Sequence, residues 1–172
     1  TDVVIGSGCT SIGSYAFQYC SNLTSVEIGS GCTSIGYSAF DSDYKFNYIH
    51  VNEGNPIYDS RENCNCIIET ATNTIILGSN NSFIPDTITA IGNDAFKNRS
   101  GLTGELIIPD SVTSIGQYAF RGCEGLTSVE IGSGITSIGT SAFYALPNLS
   151  TVKISGGVIS SDCFRECKAL EY

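Results

Sequence analysis

The stretch Thr113-Ser114-Ile115-Gly116-Gln117-Tyr118-Ala119-Phe120 recurs, with small changes, along the whole chain of 172 residues. Close copies occupy residues 10–17, 33–40, 89–96 and 136–143, and a more divergent copy occupies residues 158–164. The isoleucine of the copies recurs about every 23 residues where the pattern is regular, a spacing typical of stacked supersecondary units. This repetition predicts one elongated array rather than a globule around a single central core.

A second motif, Leu-x-x-Val-x-Ile, precedes each regular copy. In Leu23-Thr24-Ser25-Val26-Glu27-Ile28, apolar and polar side chains alternate, and residues 46–51, 126–131 and 149–154 repeat the pattern. Alternation with a period of two predicts short strands with one buried face. We expect these strands to form one continuous parallel sheet, with the glycine after each Ser-Ile at a bend or close backbone approach.

The regular pattern is interrupted between the copies at residues 33–40 and 89–96. Cys66-Ile67-Ile68-Glu69 and Asn73-Thr74-Ile75-Ile76-Leu77 flank Thr70-Ala71-Thr72, which predicts an inserted β-hairpin. One extra residue within 102–109 predicts a β-bulge. We therefore interpret residues 1–172 as a single domain, with regular repeats in 1–51 and 84–172 and an irregular insertion in 52–83.

The full unit, Thr-Ser-Ile-Gly-x-x-Ala-Phe-x-x-Cys-x-x-Leu, resembles the repeat of the BspA-like leucine-rich repeat proteins. The interruption Asn55-Pro56-Ile57-Tyr58-Asp59-Ser60-Arg61 also resembles an element of that family. With the period, the resemblance predicts a β-rich, α/β-type leucine-rich-repeat solenoid, a curved right-handed array of short parallel strands. It further implies a secreted or cell-surface scaffold for adhesion or protein–protein recognition, with protein or glycan partners on host or neighbouring cells, and no enzyme activity.

Charge and hydropathy narrow the function classes. The formal net charge of −9 argues against nucleic acid and anionic membrane surfaces as partners. No apolar run approaches the roughly 20 residues that span a bilayer, so we expect no membrane insertion in this segment. Because the sequence starts and stops within a repeat, we expect a piece of a longer protein whose uncapped ends favour self-association. A structural spacer that holds another domain away from the cell surface is the alternative function.

The eight cysteines invite a disulfide or metal interpretation, which their repeat positions oppose. Six stand where other units carry Ile, Val, Leu or Ala, and we expect them to be buried free thiols: Cys9, Cys20, Cys32, Cys123, Cys163 and Cys167. The pair Cys64-x-Cys66 has no accompanying histidine, so we expect it to pack at the hairpin rather than bind zinc. Asp41-Ser42-Asp43 lacks the spacing of a calcium loop. The sequence therefore predicts no metal and no cofactor.

The outward positions of the strands are the candidate ligand-binding residues: Glu27, Tyr48, His50, Glu105, Ile107, Glu130 and Lys153. We expect a contact centred on Tyr48 and His50, flanked by Glu27 and Ile107, with the insertion forming a wall beside it. The acidic members favour a basic or hydroxyl-rich partner. His50 has Glu53 and Asp59 downstream, but no nucleophile or metal-ligand spacing accompanies them, so no catalytic residue is predicted.

Overall fold

The computed structural model describes residues 1–41 and 45–171. The chain is a β-solenoid of about seven turns with almost no helix, which confirms the predicted fold class. Within the described ranges, the helical structure is one 3-10 turn at Arg61–Asn63. The described residues form fifteen strands, which in chain order are β1 Asp2–Ile5, β2 Ser11–Ile12, β3 Ser25–Ile28, β4 Ser34–Ile35, β5 Tyr48–Val51, β6 Tyr58–Asp59, β7 Cys66–Glu69, β8 Thr74–Gly78, β9 Ala90–Ile91, β10 Gly104–Ile108, β11 Ser114–Ile115, β12 Leu126–Ile131, β13 Ser137–Ile138, β14 Thr151–Ile154 and β15 Val158–Ile159.

Two columns of parallel strands run along the solenoid. The Leu-x-x-Val-x-Ile motifs form the first column, in the orders β1-β3-β5 and β10-β12-β14. The Ser-Ile pairs form the second column, as two-residue strands in the orders β2-β4 and β9-β11-β13-β15. The sequence predicts only a bend at Ser-Ile, because two residues are too few to show an alternation of side chains.

After each Ser-Ile strand comes a bend segment, namely residues 13–20, 36–41, 92–99, 116–123, 139–146 and 160–167. Adjacent complete segments are joined by three backbone hydrogen bonds, which we call rungs. For example, the N–H groups of Asp94, Phe96 and Asn98 donate to carbonyl oxygens of the next turn. Residues such as Tyr118 and Ala145 have positive φ there, so the segment is a repeated turn and not a helix. At Gly36, a Cβ would lie 2.3 Å from the Ser14 nitrogen, which confirms the predicted close approach.

The expected continuous sheet is wrong, because the first column is divided between β5 and β10. On the free edge of β5, the Val51 N–H donates to Ser60 Oγ at 2.9 Å and the Ile49 N–H to Asn65 Oδ1 at 3.5 Å. Side chains of the insertion therefore accept the hydrogen bonds that these N–H groups would otherwise donate to a fourth parallel strand. This pattern also divides the seven candidate site residues into two groups.

The predicted hairpin is confirmed, and it joins the second column. β7 and β8 pair antiparallel, and the outer edge of β8 pairs parallel with β9. Buried side chains form two clusters, one before and one after the insertion, and the hairpin supplies Ile67 to the first and Ile68 and Ile75 to the second. The predicted bulge is confirmed by a register shift at Gly104 in β10.

The third turn has no Ala-Phe bend segment, and Arg99 and Gly78 occupy part of the space. The Gly78 N–H donates to Ala95 O at 2.8 Å, the bond that a bend-segment Phe makes in complete turns. Arg99 is 1% exposed, donates to Gly78 O and Phe40 O, and lies over the ring of Phe46. The stack of Phe rings is continuous from Phe96 to Phe164 and is interrupted here, beyond Phe40 and Phe46.

Candidate functional site

The outward positions of the first column lie in register, as predicted. In the first group of strands, Ser25 pairs with Tyr48 and Glu27 pairs with His50. The intervening Val26 and Ile49 are buried, so alternation along the strand directs Tyr48 and His50 away from the core. Hydrogen bonds from Ser25 and Thr24 lower the pKa of Asp2, which continues this surface on β1.

Tyr48 and His50 form an aromatic pair on this surface. Their ring centroids are 6.4 Å apart and the ring planes differ by 17°, while the Tyr48 side chain remains 51% exposed. Two residues of one strand with nearly parallel rings present one broad contact face. Aromatic side chains of this kind supply large contact area at low entropic cost.

A cavity of about 290 Å³ opens beside His50. Its walls come from the end of β5 and from the insertion, including Asn52, Glu53 and Arg61. The insertion therefore borders the aromatic pair on one side, as the sequence predicts. The strand surface and the cavity together form the first candidate site, which we call the Tyr48 surface.

Asp59 and Arg61 form an ion pair in the part of the insertion that lines this cavity. Arg61 donates from Nε and Nη2 to the two carboxylate oxygens of Asp59, at 2.9 and 2.6 Å, and from Nη1 to Asn73 Oδ1 at 2.8 Å. Burial opposes the charge of Asp59, yet the hydrogen bonds from Arg61 and Thr70 hold its pKa below the usual value. Asp59 is thus an ion-pair partner that ties the first part of the insertion to the hairpin turn.

The remaining candidates form a second group on β10, β12 and β14. Ile107, Glu130 and Lys153 lie in one register column, and Glu105 is in the neighbouring column. The Lys153 ammonium pairs with Glu130, which raises the pKa of Lys153 and occupies the Glu130 carboxylate. Ile107 is 58% exposed but does not flank the aromatic pair, because the column is divided between β5 and β10. The expected single stripe is therefore wrong at this point.

The predicted site omits two residues that alignment of the repeats reveals. Phe83 precedes Ile84-Pro85 as Ile107 precedes Ile108-Pro109, and it is 47% exposed. Arg99 stands at the position of Cys123, Leu146 and Cys167, where other units have an apolar residue. A charged residue at an apolar repeat position is the signal that marks the incomplete turn.

All eight cysteines are free thiols, as predicted. The expectation of burial is wrong for Cys20, which is exposed, and for Cys9, which is half-buried, since both belong to the first turn, where no described turn covers one side. Cys64 and Cys66 are both buried, and burial raises the pKa of Cys66 well above its usual value.

Within residues 1–41 and 45–171, no group of three or more His, Cys, Asp or Glu side chains is arranged to hold a metal ion. Of the aspartates in Asp41-Ser42-Asp43, Asp41 is described, whereas Ser42 and Asp43 lie outside the described residues. No helix in the described part of the chain is long and apolar enough to cross a membrane.

Short parallel strands, bend segments and a stacked Phe column define a leucine-rich repeat solenoid. The family model for the BspA type leucine-rich repeat region matches residues 1–83 and 77–172 with six copies, and the chain belongs to this family. Among curated proteins, the comparison finds no relative that matches the chain.

Solved bacterial structures share the fold. A leucine-rich repeat protein from Eubacterium ventriosum is 20% identical with a TM-score of 0.81, and the match covers 98% of this chain and 46% of that one. A leucine-rich cell surface protein from Faecalibacterium prausnitzii is 22% identical with a TM-score of 0.58, covering 99% and 58%. The pneumococcal vaccine antigen PcpA is 13% identical with a TM-score of 0.65, covering 94% and 57%. The chain thus spans about half the length of these structures.

Proposed function

We propose that this leucine-rich repeat scaffold is exported to the cell surface and binds a protein or glycan of a host or neighbouring cell through the Tyr48 surface. The observation that carries the proposal is the Tyr48–His50 pair, with Tyr48 exposed and His50 half-buried, beside a cavity of about 290 Å³. An aromatic face next to a concavity is the arrangement that recognition surfaces favour.

Three further features support this assignment. Glu27 lies in register with His50 and adds a carboxylate to the same face, which suits a basic or hydroxyl-rich partner. Membership of a leucine-rich repeat family supports protein recognition rather than catalysis. The neighbours described as a cell surface protein and as a vaccine antigen support an exposed location.

The test is binding of the purified chain to immobilised arrays of extracellular-matrix proteins and glycans. We expect Tyr48→Ala/His50→Ala to weaken binding of any hit by roughly thirtyfold or more, the effect of removing an interface hot spot. Tyr15→Ala/Tyr19→Ala is the matched control, because these exposed tyrosines lie on a bend segment away from β5. Equal binding by both double variants would exclude the Tyr48 surface, and no hit for the wild type would favour the spacer function.

A further inference from the structure

The bend segments carry a hydrogen-bond ladder that lacks one step. In the first turn, the Tyr15, Phe17 and Tyr19 N–H groups donate to Tyr37, Ala39 and Asp41 of the second turn. The corresponding donors of the second turn include Ser38 and Phe40, which face the turn without a bend segment. In the part of the chain that the structure describes, neither N–H has a hydrogen-bond acceptor.

The opposite side of the gap presents acceptors. In complete turns, the carbonyls equivalent to Asn93, Ala95 and Lys97 each receive one rung, as Gln117, Ala119 and Arg121 do. Of these three carbonyls, the one of Ala95 accepts a hydrogen bond from the Gly78 N–H. The carbonyls of Asn93 and Lys97 receive no hydrogen bond within the described residues. Paired donors on one wall and acceptors on the other are what an added extended segment requires.

A cleft of about 280 Å³ occupies this gap, between residues 36–41 and 92–99. Its apolar lining includes Tyr58, Ile76 and Leu77, and the 60%-exposed Tyr37 stands at its rim. The volume lies near the lower end of ligand pockets, so it suits one side chain and a short length of backbone. We refer to it as the inter-turn cleft.

Carboxylates outnumber available cations in the inter-turn cleft. Asp41, Glu69 and Asp94 line it together with Lys97, whose Nζ lies 3.3 Å from Asp41 Oδ2 and 3.5 Å from Asp94 Oδ1. The Arg99 guanidinium, also in the lining, donates to carbonyl oxygens of Gly78 and Phe40. Asp94 Oδ1 is buried with the Lys97 ammonium 3.5 Å away, and Tyr37 donates to the other oxygen, Oδ2. The lining thus holds three carboxylates and two cationic side chains, and this balance favours one additional cation in the cleft.

We propose that the inter-turn cleft binds an extended segment of a partner protein that carries a lysine or arginine side chain. One carbonyl of the segment accepts from the Ser38 N–H, and one of its N–H groups donates to the Asn93 carbonyl oxygen, beside the central position that Gly78 fills. The cationic side chain lies against Tyr37 and pairs with Asp94, in a hydrogen bond of the stronger, charge-assisted kind. This site is distinct from the Tyr48 surface and does not depend on it.

The test is NMR titration of the ¹⁵N-labelled chain with the acetylated and amidated tripeptide Ala-Lys-Ala at millimolar concentration. We expect saturable shifts of the Ser38 and Phe40 amides, and affinity roughly tenfold lower for Ala-Gln-Ala. Asp94→Asn should weaken Ala-Lys-Ala binding roughly tenfold, equivalent to about 1.4 kcal/mol. Asp162→Asn is the matched control, since Asp162 holds the same repeat position with the same left-handed backbone.

Several outcomes would overturn the proposal. These are no saturable shift at Ser38 and Phe40, equal affinity for both tripeptides, equal affinity in Asp94→Asn and wild type, or shifts confined to Tyr48 and His50. The Tyr48→Ala/His50→Ala variant separates the two sites, because it should retain tripeptide binding while losing array binding. Loss of array binding alone would leave the inter-turn cleft supported.

Discussion

The Nη2 atom of Arg99 donates to the carbonyl oxygen of Phe40 at 3.2 Å, across the turn that lacks a bend segment. The buried guanidinium of Arg99 donates there to carbonyl oxygens, in the place where complete turns have a bend segment. Arg99→Leu restores the residue type of Leu146 but leaves the carbonyls of Phe40 and Gly78 without this donor. We expect it to lower the free energy of unfolding by about 2–4 kcal/mol, measured by urea denaturation, because each buried carbonyl that loses its donor costs about 1–3 kcal/mol.

Two controls accompany the Arg99 variant. Arg99→Lys should also lose stability, because an ammonium cannot reproduce the planar fork that reaches both carbonyls. Arg165→Ala should lower the free energy of unfolding by less than about 1 kcal/mol, because Arg165 and its ion-pair partner Asp162 are both at least half exposed. Equal stability of Arg99→Leu and wild type would contradict the role assigned to Arg99.

Phe120 tests the stacked core of the complete turns. Its ring lies between Phe96 and Phe143, with centroids 4.9 and 5.1 Å away, and the residue is fully buried. Phe120→Ala should cost about 3–5 kcal/mol in chemical denaturation, because it opens a cavity in this stack. Gln117→Ala, at an exposed position of the same segment, should stay within about 0.5 kcal/mol. Similar losses of stability for both variants would refute the assignment of Phe120 to the buried face of the segment.

Ala145 tests the backbone strain of the bend segments. Its φ is 59°, whereas the equivalent position one turn earlier is Gly122. Ala145→Gly should raise the free energy of unfolding by about 0.5–1 kcal/mol, because glycine adopts the left-handed region without a Cβ clash. Ala142→Gly, a buried neighbour outside that region, should instead lose about 0.5–1 kcal/mol. Thermal unfolding of both variants shows whether each substitution raises or lowers stability. A loss of stability for Ala145→Gly would argue against the assigned left-handed conformation.

The Asp59–Arg61 pair predicts a pH dependence. The pKa of Asp59 is lowered in the folded chain, so its stabilisation is complete above the ordinary value of about 3.9 and is lost as pH falls through the lower folded value. Asp59→Asn should cost about 1–2 kcal/mol at neutral pH, and its difference from wild type should shrink below about pH 4. Denaturation over a pH series measures this, with the exposed Asp162→Asn as control. A difference that grows on acidification would reverse the predicted sign.

Thiol accessibility tests the burial of the cysteines. In native protein at pH 8, we expect one fast-reacting thiol, Cys20, and slower reaction at the half-buried Cys9. The other six should react only on unfolding, since burial raises the pKa of Cys163 to about 11 and that of Cys123 to about 12. Titration with a chromogenic disulfide measures both phases, and Cys20→Ser should remove the fast phase. Several fast thiols in the native wild type would contradict the assigned burial.

The repeat and its alternation are local features, and the sequence alone determines them. Val26 and Ile49 face the core and Glu27 and His50 face outward because successive side chains of a strand point to opposite sides. The hairpin and the Gly104 bulge are also local, since a turn signal and one extra residue predict them.

Tertiary structure decides which edges meet. The outer edge of β8 pairs with β9, and Ser60 and Asn65 cover β5, so the outward residues separate into two groups. The inter-turn cleft likewise forms only when residues 36–41 and 92–99, far apart in sequence, face each other across an incomplete turn. A strand's alternation specifies its buried face but carries no information about its neighbour, because backbone hydrogen bonds are the same for every partner.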